Sequence, residues 1–257
     1  MEVKDNRVEA MSIESDLLGA FELHSPRQIR DALAAGASPV DPIESKRPID
    51  ILIEMYTRSE QFADCLRVML DAGAAIGDPL LEAVLLDDDR GLGGILKTSN
   101  AELHRKLYPL CAYTSCKGVS ALHICAEFNS VRCARVLIRE GADIDARADM
   151  DADGLGGQTP LFHAVNSNQN YCRPMMELLV DAGANLDIRI KGLVWGDSMP
   201  WETVVFDVTP ISYAQCGLYR QFHRREKDIY SNIAYLHRKR YGTELKVPNV
   251  PNKYLFP

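Results

Sequence analysis

One recurring phrase restricts the fold of this chain more than any other feature. An apolar helical stretch ending in Gly-Ala occurs as Ala32-Leu33-Ala34-Ala35-Gly36-Ala37, Met69-Leu70-Asp71-Ala72-Gly73-Ala74, Leu137-Ile138-Arg139-Glu140-Gly141-Ala142 and Leu179-Val180-Asp181-Ala182-Gly183-Ala184. A second phrase opens each unit. Its clearest copies are Thr159-Pro160-Leu161, Thr209-Pro210-Ile211 and Ser120-Ala121-Leu122-His123, with weaker ones at Asp16, Pro48 and Pro79. The second residue of that phrase falls at 16, 48, 79, 121, 160 and 210, so successive spacings are 32, 31, 42, 39 and 50. Self-similarity of this period means one supersecondary unit stacked on copies of itself.

Each unit reads as a turn, a short helix, a second helix and a glycine stop. Thr or Ser ahead of Pro supplies an N-cap, and Pro at the first helical position lacks only a donor the helix could not use. Val136, Leu137 and Ile138 after Ala134, like Met176, Leu178, Leu179 and Val180, place apolar residues on one helical face. Glycine then permits the left-handed conformation that ends the helix. Helices this short cannot bury such a face alone, so adjacent pairs must stack.

These phrases resemble the ankyrin-repeat family. Ser120 to Ala146 and Gln158 to Asp187 are its fullest copies. The resemblance implies an all-α solenoid of stacked helix-turn-helix repeats joined by β-hairpin loops. It covers about six repeats between residues 16 and 242, with an N-terminal extension at 1–15 and a C-terminal tail at 243–257. The third repeat is degenerate. It has no Gly-Ala stop and carries Arg90-Gly91-Leu92-Gly93-Gly94-Ile95 in its second helix, where three glycines are expected to weaken the helix.

A plain unit is about 33 residues long, so the wider spacings mark insertions, which map to one side of such a stack, often the binding side. The longest lies between Arg189 and Val208 and reads as two strands around a Gly196-Asp197-Ser198 turn. It holds both tryptophans, Trp195 and Trp201, with Met199 and Phe206. Such rings either cover the last helix pair or serve as contacts for a partner. The second insertion, Asp149-x-Asp151-x-Asp153-Gly154, imitates half of a calcium loop, but the twelfth position that should carry Glu is Pro160. It reads as a solvated tip. Asp151, Asp153, Trp195, Met199 and Trp201 are therefore the expected contact residues for a protein partner.

A metal-dependent regulator or enzyme is the alternative, using the Asp-rich tip or the group Cys111, Cys116, His123, Cys125 and Cys133. That group has no C-x-x-C pair, and Cys125 sits where repeats of this kind bury a small residue. His123 is expected to bond to a neighbouring turn. None of the local signatures of nucleophilic, phosphate-binding or zinc-protease sites occurs, so neither catalysis nor a cofactor is expected. Net charge is −7, which argues against nucleic acid as the main partner. Residues 219–246 carry eight bases and three acids, leaving −12 elsewhere; a polar cap on the stack explains them. Seven irregularly spaced cysteines, no apolar run of about 18 residues and no secretory leader point to a cytoplasmic protein. The proline-rich tail is expected to lie along the last helices through Tyr254, Leu255 and Phe256.

Overall fold

The computed structural model describes residues 13–109, 111, 115–197 and 199–245. The first twelve positions and the tail anchors Tyr254, Leu255 and Phe256 lie outside the described residues. Helices come in pairs: α1 (13–22) and α2 (Pro26–Ala34), α3 (Pro48–Glu54) and α4 (Phe62–Asp71), α5 (Pro79–Leu85) and α6 (Asp89–Thr98). Three further pairs follow: α7 (Ala121–Phe128) and α8 (Val131–Arg139), α9 (Pro160–Ala164) and α10 (Arg173–Asp181), α11 (Pro210–Cys216) and α12 (Glu226–Tyr241).

The opening phrase caps α5, α7 and α11 in three different ways. Thr209 and Ser212 form a reciprocal capping box, each hydroxyl accepting from the other's backbone N–H at 3.3 and 2.8 Å. Asp78 accepts from Leu80 and Leu81 N–H. At Ser120 the partner is His123, whose Nδ1 accepts from the Ser120 backbone N–H at 3.1 Å. Thr159 corrects the sequence reading. It occupies the N-cap position of α9, yet its buried hydroxyl makes no capping bond.

The Gly-Ala phrase is a helix stop with both of its hydrogen bonds in place. Gly36, Gly73, Gly141 and Gly183 have φ between 90° and 110°, a region that costs glycine nothing. The following alanine reaches back five residues, as from Ala37 N to Ala32 O and Ala184 N to Leu179 O, both at 3.0 Å. The glycine N–H takes the carbonyl three back, which completes a Schellman motif and satisfies carbonyls the helix leaves open. The small methyl group is tucked inward at Ala37, Ala74 and Ala184.

First helices touch first helices (α5 with α7, α7 with α9, α9 with α11). Second helices do the same (α6 with α8, α8 with α10, α10 with α12). Amphipathic patterning explains this arrangement. In α8, Cys133, Ala134, Val136 and Leu137 are buried while Arg132, Arg135 and Arg139 face solvent. Leu122, Leu137, Leu161, Phe162 and Leu179 are almost wholly removed from water, each contributing about 1.5–3 kcal/mol of transfer free energy.

The glycine-rich segment forms α6 where a second helix is expected, with Asp88 capping it through Gly91 N–H and Leu92 and Leu96 buried. One expectation changes: the connections are not uniformly hairpins. Among the described residues one ladder forms, β1 (Ile190–Trp195) antiparallel to β2 (Thr203–Val208), with Leu193 opposite Val205. Three other connections make only an isolated bridge: Ile43 with Lys46, Leu107 with Val119, and Met150 with Gly156. The fold is helix-rich with one small sheet.

Candidate interaction surface

Three long connections meet side by side on one edge of the stack. The Asp149 N–H donates to Lys117 O at 2.9 Å, and the Gly156 N–H donates to Gly192 O at 2.8 Å. Through these bonds the stretch carrying Lys117, the Asp-rich tip and strand β1 become one laced surface. It borders a groove of about 800 Å³ whose wall includes Tyr108, Lys117, Met150, Asp151, Val194 and Met199. Met150 is 65% and Tyr108 64% exposed, an unusual outlay of large apolar side chains on adjoining turns.

Asp151 and Asp153 are exposed at the tip. The Asp151 Oδ1 accepts from the Asp153 and Leu155 N–H groups at 2.9 and 2.8 Å, so this carboxylate fixes its own turn. Asp149 is engaged by Lys106 and, at 3.2 Å, by the Tyr108 hydroxyl. The hydrogen bond from Lys106 holds the Asp149 carboxyl below its ordinary pKa. These acids therefore face different partners, and among the described residues no three His, Cys, Asp or Glu side chains are placed to hold a metal ion.

The hairpin tryptophans separate. Trp195 is 3% exposed and lies flat on Phe222, centroids 3.9 Å apart and planes 8° from parallel. The exposed contact expected there is corrected, because the hairpin folds back and uses this ring to cover the last helix pair. Trp201 stays 36% exposed, 5.0 Å from Trp195, and Met199 41%. Gly196 makes this possible. Its φ is +74°, and a Cβ there would lie 2.0 Å from the Trp201 ring.

Beneath the groove lies a charged centre that pattern reading did not single out. The Arg58 Nε donates to Glu127 Oε1 at 3.1 Å and its Nη2 to Cys111 Sγ at 3.3 Å, while the guanidinium covers the Phe128 ring at 4.3 Å. The other Glu127 oxygen, Oε2, accepts from His163 Nδ1 at 3.0 Å. Burial alone would raise the Glu127 carboxyl. The Arg58 charge and the hydrogen bonds from His163 and Cys111 outweigh it and hold the group at about 2. A signal existed: Glu127 is the one carboxylate in the run Ala121 to Phe128, and an acid on so buried a helix calls for a counter-charge.

His123 faces its neighbour's backbone as expected, with Nε2 donating to Gln158 O at 3.0 Å. Cys125 and Cys133 are fully buried, and burial pushes both thiols above their ordinary pKa. The basic residues of α12 turn to the preceding pair: Lys239 bonds to Asp181 at 2.7 Å and Arg240 to Asp187. Among the described residues no helix is long and apolar enough to cross a membrane.

Residues 95–190 match the family model for ankyrin repeats, in three copies. No curated protein matches the chain. The matched stretch contains α7 to α10, with the Schellman stops at Gly141 and Gly183 and the lateral contacts of α7 with α9 and α8 with α10. Over residues 95–190 the chain is built of ankyrin repeats.

Proposed function

We propose that this protein is a non-enzymatic interaction module, a solenoid of about six repeats over residues 16–242 that holds a protein partner on its concave side. Ankyrin repeats generally mediate contacts between proteins. The observation that carries the reading is the groove across three laced connections, with Met150, Tyr108 and Met199 exposed along it. A partner covering those side chains would remove apolar area from water without reordering the scaffold, which limits the entropy lost on docking. Asp151 and Asp153 supply a polar rim. The seven free cysteines suit a reducing compartment, and we place the protein in the cytoplasm.

Affinity purification from the native cell, followed by cross-linking mass spectrometry on the captured complex, tests this. Cross-links should fall on Lys106, Lys117 and Lys191, beside the groove. Met150→Glu with Met199→Glu should release the partner while leaving the melting temperature within about 2 °C, because both side chains are exposed. Retained binding by that variant, with cross-links confined to second helices, would overturn the proposal.

A further inference from the structure

We infer that strand β2 pairs edge to edge with β2 of a second copy of this chain, joining two hairpins into one four-stranded antiparallel sheet. The register of the ladder carries this. The Gly192 carbonyl accepts from the Gly156 N–H, so it points away from β2, and Gly192 stands opposite Phe206. Gly192 and Phe206 are therefore a facing pair without mutual hydrogen bonds, and Val194 with Val204, two residues on, is another. The N–H and C=O groups of Val204 and Phe206 point outward from β2, and among the described residues they bond to no other segment. Two donors and two acceptors thus lie along an open edge, a template for a further strand. The same two residues expose their side chains, Val204 by 38% and Phe206 by 65%.

This edge is complementary to itself. With a two-fold axis at Val205, Val204 of each copy faces Phe206 of the other, and each facing pair exchanges both of its N–H···O bonds. That register sets a β-branched side chain against an aromatic one, a favourable cross-strand pair. It also keeps acids apart, with Glu202 opposite Val208 and Asp207 opposite Thr203 of the second copy. A shift of two residues in one direction puts Glu202 opposite Phe206. A shift in the other direction relies on Val208, beyond Asp207, whose φ of +57° interrupts the extended strand. Val194, on the opposite edge of the hairpin, lines the groove, so the pairing leaves the groove open to its own partner.

Sedimentation equilibrium of the full chain, from about 1 to about 300 µM, tests this. Two residue pairs make a small interface, so the dissociation constant should be about 10–100 µM. Val204→Pro removes an outward donor and spares the β1 ladder, since an edge strand tolerates proline where its N–H faces solvent. It should weaken dimerisation about tenfold or more, because two hydrogen bonds are lost per dimer. Phe206→Lys should weaken it as strongly, lysine being the residue that blunts strand edges. That variant keeps every backbone group and provides the reading if the proline variant does not fold. Leu23→Lys adds the same charge at an exposed position of the first pair and should change association less than about twofold. Hydrogen exchange at the Val204 and Phe206 amides should slow as concentration rises, because strand pairing covers those donors. A monomer throughout the range, a dimer indifferent to both hairpin variants, or a dimer whose Val204 and Phe206 amides exchange as fast as in the monomer would overturn the pairing.

Discussion

At the scale of single residues, the structure separates side chains that look alike in the sequence. His123 is fully buried, and desolvation first, then the neighbouring His163, lowers its imidazole to about 3. His24, bonded to Ser59, is lowered to about 4 by burial and the Arg58 charge. Each folded value lies below the ordinary 6.5, so the unfolded chain binds protons more readily. The stability held by these rings is complete above pH 6.5 and is lost as pH falls toward 4 and 3. At pH 5, His123 alone should cost about 2 kcal/mol relative to neutral pH. Urea titrations at pH 7.5 and 5 should show that loss, and His123→Gln should reduce the difference by about 2 kcal/mol while lowering stability at both, His24 supplying the remainder; an unchanged difference in the variant would remove the assignment. The tryptophans divide just as clearly. Trp195→Ala empties a stacked, buried site and should cost about 3–5 kcal/mol, whereas Trp201→Ala should cost about 1 kcal/mol, in proportion to its smaller burial. Chemical denaturation of the two variants side by side checks the difference.

At the scale of elements, α6 shows how packing carries a helix whose composition weakens it. Its glycines do not prevent the helix, because Asp88 caps it and Leu92 and Leu96 bury its inner face; packing outweighs propensity. The penalty remains recoverable. A Cβ at Gly93 or Gly94 would meet nothing within 4 Å, so Gly93→Ala and Gly94→Ala should each stabilise the protein by about 0.5–1 kcal/mol. At Gly91 a Cβ would fall 2.2 Å from the Asp88 carboxylate, and Gly91→Ala should give no such gain. Thermal melts of the three variants decide it; equal gains at all three would show that the cap does not depend on the bare glycine. The same contrast explains what the sequence discloses. Gly-Ala stops and Thr-Pro openings are legible because each encodes its own local hydrogen bonds. The burial of Trp195 depends on where the hairpin lands, and the Arg58–Glu127 contact joins residues 69 positions apart. Neither has a local signature. The exposed methionine at 150 was equally silent, since only the lacing of neighbouring connections places it on a groove wall.

At the scale of the whole molecule, stacked repeats touch mainly their neighbours, so stability is close to a sum of units and adjacent interfaces. Arg58 departs from that rule. It leaves the segment between α3 and α4, donates to the Met55 and Thr57 carbonyls, and reaches Glu127 at the end of α7, in the fourth pair. The ring pair Phe62 and Phe128, 4.8 Å apart, follows the same route. This link ties the N-terminal pairs directly to the repeats that build the groove. Removing one member of a buried ion pair strands the other, at a cost of about 3–5 kcal/mol. Arg58→Met and Glu127→Gln should each show such a loss, and the double variant should lose at least about 1 kcal/mol less than the sum, because no charge is then stranded. Hydrogen exchange read by mass spectrometry should locate the effect. In Arg58→Met, amides of α3 and α4 should lose protection well before those of α9 and α10, since the former would hold the stack only through their nearest neighbours. Additive losses with uniform deprotection would mean that the bridge is a local contact and that the N-terminal pairs are held to the groove by adjacent packing alone.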